Sequence, residues 1–198
     1  MVKKSRIVMI HGIQESSSAE NLGKLTPFFI EAGFEVIQPL YGNMGYLTAV
    51  TMSRWINPRI ADALASFIQP NDILVCHSNG ATIAFLISQK IKIRGTILIN
   101  PALDEDLVPT VTCFNHIYYN AGDWVVWLSS FVPFNRWGSM GRYGYRSNPR
   151  SDTLNIDCSV PPLHDLPPID GHSDLFVDEK LAPWARYMVS LLKSHDPI

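Results

Sequence analysis

Apolar positions along this chain follow two rhythms that take turns. The runs Ile7-Val8-Met9-Ile10, Phe34-Glu35-Val36-Ile37, Ile73-Leu74-Val75-Cys76 and Gly95-Thr96-Ile97-Leu98-Ile99 are short and rich in branched residues. They read as strands, most of them buried on both faces. Phe114 to Tyr119 reads as another strand, and Thr153 to Cys158 as one more. Between them the apolar spacing turns helical. Leu22, Leu25, Phe28 and Phe29 mark a helix over 21–32 that stops at Gly33. Thr48 to Ile68 is helical in pattern, but Pro58 predicts a break near Asn57, because proline lacks the N–H and restrains the residue before it. Ala81 to Lys90 follows the third strand as a helix, and Leu175 to Lys193 is an amphipathic one despite Pro183.

Strands that alternate with helices across short polar turns predict an α/β domain. Its expected architecture is a three-layer α/β/α sandwich around a mostly parallel sheet of about six strands. No internal repeat or low-complexity linker divides the chain, so residues 1–198 read as a single domain. Polar groups at the carboxyl ends of neighbouring strands then share one edge of the sheet, where open α/β sheets place their ligands.

Three such groups stand out. The strand at Ile73 runs directly into Cys76-His77-Ser78-Asn79-Gly80 and a helix, the pattern of a sharp strand-to-helix turn with serine at its corner. Asp123 lies four residues beyond Tyr119, behind Gly122, and His172 follows Gly171 just before the last helix. A serine hydroxyl is a weak nucleophile until a base removes its proton and an acid orients that base. Ser78, Asp123 and His172 supply one residue of each kind. Rival acids are Asp104, Asp165 and Asp170; rival histidines are His77, His116 and His164. His116 reads as a satisfied core histidine, and His11 as a structural residue holding its own loop.

In these features the chain resembles a small member of the α/β-hydrolase superfamily. The resemblance rests on Ile7 to Gly12 as first core strand and loop, the corner at Ser78, the turn Gly122-Asp123, and Gly171-His172 before the final helix. It covers nearly the whole chain. Cys76 departs from the usual Gly-x-Ser-x-Gly, yet cysteine is small enough for the close packing there. The resemblance implies an oxyanion hole formed by the backbone N–H groups of Asn79 and Ile13, with Gln14 as the alternative donor and as a pocket residue. It also implies that no separate cap interrupts Pro101 to Cys113.

Composition narrows the partners. A net charge of −2, with no block of like charges, gives no reason to expect nucleic acid or an anionic membrane as partner. Cys76, Cys113 and Cys158 are too few and too far apart for a disulfide framework or a metal site, and read as free thiols. The basic start precedes too short an apolar run for a signal peptide, and no stretch has transmembrane length, so a cytoplasmic protein without stable membrane insertion is expected, with export without a cleaved signal as the alternative.

The stretch 124–168 fits neither rhythm. It holds Trp124, Trp127, Phe131, Phe134 and Trp137, then scattered glycines and two proline pairs. It reads either as ordinary core and loop packing or as a lid-like insertion over the site, with Trp124 as the first pocket candidate. The expected function is a serine hydrolase cleaving a carboxylic ester of a small or medium apolar molecule, without metal or organic cofactor. Thioesterase, acyltransferase, peptidase or lipase chemistry would use the same three residues, and a non-catalytic binding module on the same fold is the alternative from another class.

Overall fold

A computed structural model describes residues 5–12, 21–41, 46–129 and 137–195, without the side chains of 46–51 and 129. Among the described residues, strands β1 (Arg6–Ile10), β2 (Glu35–Ile37), β3 (Ile73–His77), β4 (Ile93–Ile99), β5 (Val111–Tyr119) and β6 (Thr153–Asp157) form one sheet. Their spatial order is β2-β1-β3-β4-β5-β6, and every neighbouring pair is parallel. The helices are α1 (Thr26–Glu31), α2 (Tyr46–Ala65), α3 (Gly80–Ser88), α4 (Trp124–Ser129), α5 (Met140–Tyr143) and α6 (Asp178–Ser194).

The period-two alternation of a strand sorts its side chains onto two cores. Ile7, Met9, Ile73, Val75, Ile97, Ile99, Phe114 and Tyr118 face one layer, where Phe29 of α1 and Trp184 and Met188 of α6 cover them. Val8, Ile10, Leu74, Cys76, Leu98 and Ile117 face the other, against Ala61 and Leu64 of α2 and Ile83 and Ile87 of α3. Both faces being covered explains why Ile7 to Ile10 of β1 and Ile73 to Cys76 of β3 are apolar without a polar alternate. The result is the three-layer sandwich. β6, inside the aromatic-rich 124–168 stretch, is the edge strand beside β5.

Helix α2 departs from expectation. It runs unbroken from Tyr46 to Ala65 with Pro58 inside it, so the break near Asn57 does not occur. The ring removes one donor, the one that would reach the carbonyl of Arg54, and Arg54 is exposed, where water can satisfy that oxygen. Asn57 and Ala61 on the inner face are buried, and their packing holds the helix through the proline.

The chain steps from β1 outward to β2, then crosses to β3 on the other side of β1 and continues outward to β6. That reversal makes the crevice beyond the carboxyl ends of β1 and β3 the topological switch point of the sheet. His11-Gly12 leaves β1 there, and Ser78 leaves β3.

Candidate active site

Ser78 has φ +54°, a left-handed conformation that costs a non-glycine residue on the order of 1–3 kcal/mol. Backbone bonds hold it there. Its N–H donates to the Ile99 carbonyl at 3.1 Å, and its own carbonyl accepts from the N–H groups of Ala81 at 3.1 Å and Ala102 at 3.0 Å. The turn brings α3 hard against β1. A Cβ placed on Gly80 would stand 2.1 Å from the Ile10 carbonyl oxygen, so that position admits no side chain. Cys76, two residues before the corner, is fully buried on the α2–α3 side of the sheet, and burial pushes its thiol pKa far up, which makes it an inert packing residue. Gly12 lies over the serine, where a Cβ would approach the Ser78 Cβ to 2.9 Å.

Asp123 and His172 meet directly. His172 Nδ1 lies 2.8 Å from Asp123 Oδ2. A carboxylate can only accept, so Nδ1 carries the proton and the Nε2 lone pair is left to act as a base. Asp123 is fully buried, and its other oxygen accepts the Val126 N–H at 3.0 Å at the start of α4. The Asn100 amide donates to the same Oδ2 at 3.0 Å. The turn behind the acid is tight, since a Cβ on Gly122 would meet the Asp170 carboxylate at 1.8 Å.

The loop carrying His172 is fastened on three sides. Asn120 donates to the Gly171 carbonyl and accepts its N–H, each at 3.2 Å, and Asn100 donates to the same carbonyl at 3.1 Å. The His77 Nε2 lies 3.1 Å from the His172 carbonyl, with the two rings 4.9 Å apart. His77 is the residue before Ser78, so β3 and the His172 loop are tied through it. The Ser78 Oγ itself makes no hydrogen bond among the described residues. Contacts between nucleophile and base are often loose without substrate and tighten in the Michaelis complex.

Asn79 is held from two directions. Its amide forms a reciprocal pair with that of Asn57 on α2, at 2.8 and 3.1 Å, and its Oδ1 also accepts the Trp137 indole N–H at 2.8 Å. Its backbone N–H has no partner among the described residues.

None of the rival residues forms the pair that Asp123 and His172 make, although Asp170 and His77 lie close by. Asp104, Asp165, Asp170 and His164 are exposed, and His116 is buried in mid-strand against His195. His11 Nδ1 lies 2.9 Å from the Gly12 carbonyl, and its ring stacks on Tyr41, whose hydroxyl donates to the His11 carbonyl at 2.6 Å. Ile13 and Gln14 lie outside the described residues. Trp124 is 62 % exposed at the start of α4, whereas Trp137, from the same aromatic stretch, is buried and reaches the corner. Sequence reasoning missed Asn57, Asn100, Asn120, Trp137 and the role of His77. For two of these a signal existed: Asn100 and Asn120 each follow the last residue of a strand, as Ser78 does. Among the described residues, no group of three or more His, Cys, Asp or Glu could hold a metal ion, and no helix is long and apolar enough to cross a membrane.

Comparison with known proteins gives no matching family model and no matching curated protein. Solved structures do match over nearly the whole chain. A monoacylglycerol lipase from Paleococcus ferrophilus is similar with a TM-score of 0.62 at 13% identity, over 96% of this chain and 95% of that one. An α/β-hydrolase enzyme from the metagenome of lagoon sediments at Mar Chica, Morocco, gives 0.60 at 18% identity, over 98% and 93%. A putative α/β-superfamily hydrolase from Xanthomonas campestris pv. campestris gives 0.56 at 17%, over 96% and 99%. With six parallel strands in this order and a strained serine at the switch point, the chain has the α/β-hydrolase fold.

Proposed function

We propose that this protein is a serine hydrolase that cleaves carboxylic esters of small or medium apolar molecules through an acyl-enzyme. The observation that carries the proposal is the buried Asp123–His172 pair, 2.8 Å between Oδ2 and Nδ1, tied through His77 to a serine in left-handed conformation. Strain of this kind persists only where the surroundings over-determine it, and it clusters at reacting groups.

In the first half-reaction Ser78 Oγ attacks the ester carbonyl while His172 Nε2 takes its proton. Asp123 keeps the imidazole in the required tautomer and offsets the charge of the imidazolium. The Asn79 N–H, with that of Ile13 as its expected companion, donates to the oxyanion; such donors lower a barrier by about 3–4 kcal/mol each. The protonated His172 then gives its proton to the departing alkoxide. In the second half-reaction a water molecule, deprotonated by the same nitrogen, attacks the acyl carbon and releases Ser78. The α/β-hydrolase neighbours, one of them a monoacylglycerol lipase, support ester chemistry as the first to try.

A fluorophosphonate probe should label the folded protein once, on Ser78. Ser78→Ala should abolish both labelling and hydrolysis of p-nitrophenyl acetate, with a loss of about 10⁴-fold or more in kcat. A Ser78→Ala variant that kept wild-type turnover would sink the proposal.

A further inference from the structure

Two non-glycine residues have positive φ among the described residues, Ser78 and Asn100, and they follow adjacent strands, β3 and β4. The first is explained by its chemistry. The second, at φ +44°, is held by its N–H donating to the Tyr118 carbonyl at 2.8 Å, and its side chain is buried. Both hydrogens of its amide are committed, one to Asp123 Oδ2 at 3.0 Å and one to the Gly171 carbonyl at 3.1 Å. Its Oδ1 is buried without a hydrogen-bond partner. Glycine would fit this backbone conformation without strain, and an apolar side chain would leave no orphaned carbonyl. Folding stability alone therefore does not account for an asparagine here.

We propose that Asn100 is a positioning residue of the catalytic centre, which orients the Asp123 carboxylate and the His172 loop with one amide group. This rests on the triad reading above. The terminal torsion of an aspartate is broad, so a carboxylate must be held at both oxygens to present a fixed lone pair. Val126 N–H holds Oδ1, and Asn100 holds the Oδ2 that accepts the His172 Nδ1–H hydrogen bond. The second amide hydrogen fixes the residue preceding His172, so acid and base are set by the same planar group. An amide is required rather than its isosteric acid. Aspartate tolerates the same φ, but it would place a second carboxylate against the first. The other titratable groups around His172 are His77 from β3, and Asp170 and Asp174 on its own loop, the latter paired with Lys180.

The test compares wild type, Asn100→Gly and Asn100→Asp. Fluorophosphonate labelling of wild-type Ser78 checks the triad reading. The ¹H resonance of His172 Nδ1–H needs no substrate and reports on Asn100 even if labelling fails. Asn100→Gly keeps the backbone conformation and removes the amide. It should lower kcat on p-nitrophenyl acetate by about 10–100-fold, leave KM within about twofold and move the Nδ1 proton resonance. Asn100→Asp should shift the acid limb of the kcat/KM profile upward by about one pH unit, because added negative charge favours the imidazolium. Should the aspartate variant fail to fold, the glycine variant and the resonance decide. A glycine variant with kcat within twofold of wild type would overturn the proposal. So would a fall in kcat with an unmoved resonance, which would mark a purely structural role, or an aspartate variant whose pH profile matches wild type.

Discussion

His172 and His116 each present one ring nitrogen to a single side-chain partner, and the partners make them different devices. His172 faces a buried carboxylate at 2.8 Å, at the open end of the sheet. His116, in the middle of β5, faces another imidazole, with its Nε2 3.1 Å from that of His195 just after α6. A second imidazole beside an arginine disfavours a proton on the His116 ring. Burial, reinforced by His195, pulls the pKa of His116 down to about 4. His195 is lowered too, by burial and by Arg94, whose guanidinium donates to the His195 carbonyl at 2.6 Å. The other nitrogen of His116 is buried without a partner, so it is not the fully satisfied core histidine that its mid-strand position predicts. On the proposed mechanism the same side chain thus serves as a proton carrier where a carboxylate meets it, and as an acid-sensitive packing element where none does.

The contrast breaks most visibly if the carboxylate is neutralised. Asp123→Asn keeps the volume but allows the wrong imidazole tautomer, and kcat should fall about 10³–10⁴-fold on p-nitrophenyl acetate. His116→Gln should leave kcat within about twofold. If both variants lost activity equally, the separation of the two histidines into catalytic and structural roles would be wrong.

A second test uses acid. Unfolded, His116 titrates near its ordinary value of 6.5; folded, near 4. Between these values the unfolded chain binds more protons than the native one, so stability rises with pH. The contribution of His116 is therefore complete above about pH 6.5 and is lost as pH falls toward about 4, amounting to about 2–3 kcal/mol. Urea unfolding at pH 7 and pH 4.5 should show a lower midpoint at the acid end, and His116→Gln should remove much of that difference.

Which of these features the chain announces depends on the range of the interaction. Strands covered on both faces are legible, because continuous apolar runs such as Ile73 to Cys76 have few other uses. Ser78, Asp123 and His172 stand out in the sequence because Ser78 directly follows β3, Asp123 lies in the turn after β5, and His172 lies in the loop before the last helix. The amides that position them are not. Asn100 meets Gly171 across 71 positions, and Asn57 meets Asn79 across 22, so no local pattern records the pairing. The aromatic stretch is opaque for a related reason. Its tryptophans follow no period, and only the fold shows that Trp137 turns inward to Asn79 while Trp124 faces out. Pro58 misleads because propensity is local, whereas α2 is held by its buried face.

The finest test converts one device toward the other. In His195→Glu a carboxylate replaces the imidazole beside His116, giving that ring the type of partner His172 has. Three effects compete. The new carboxylate stabilises a protonated His116, the neighbouring Arg94 shares its charge, and the stacking of His195 on Phe114, with ring centroids 4.5 Å apart, is lost. The lost stacking lowers stability at every pH, so it shifts the whole curve without changing its slope. Arg94 lessens the effect on His116 but cannot reverse its sign, because the arginine was already present beside the imidazole. The slope is therefore the clean readout. It should flatten between pH 6.5 and 4.5, with the acid loss reduced by about 1 kcal/mol, while stability at pH 7 falls by about as much. An unchanged slope would mean that the acid sensitivity resides in groups other than the His116–His195 pair.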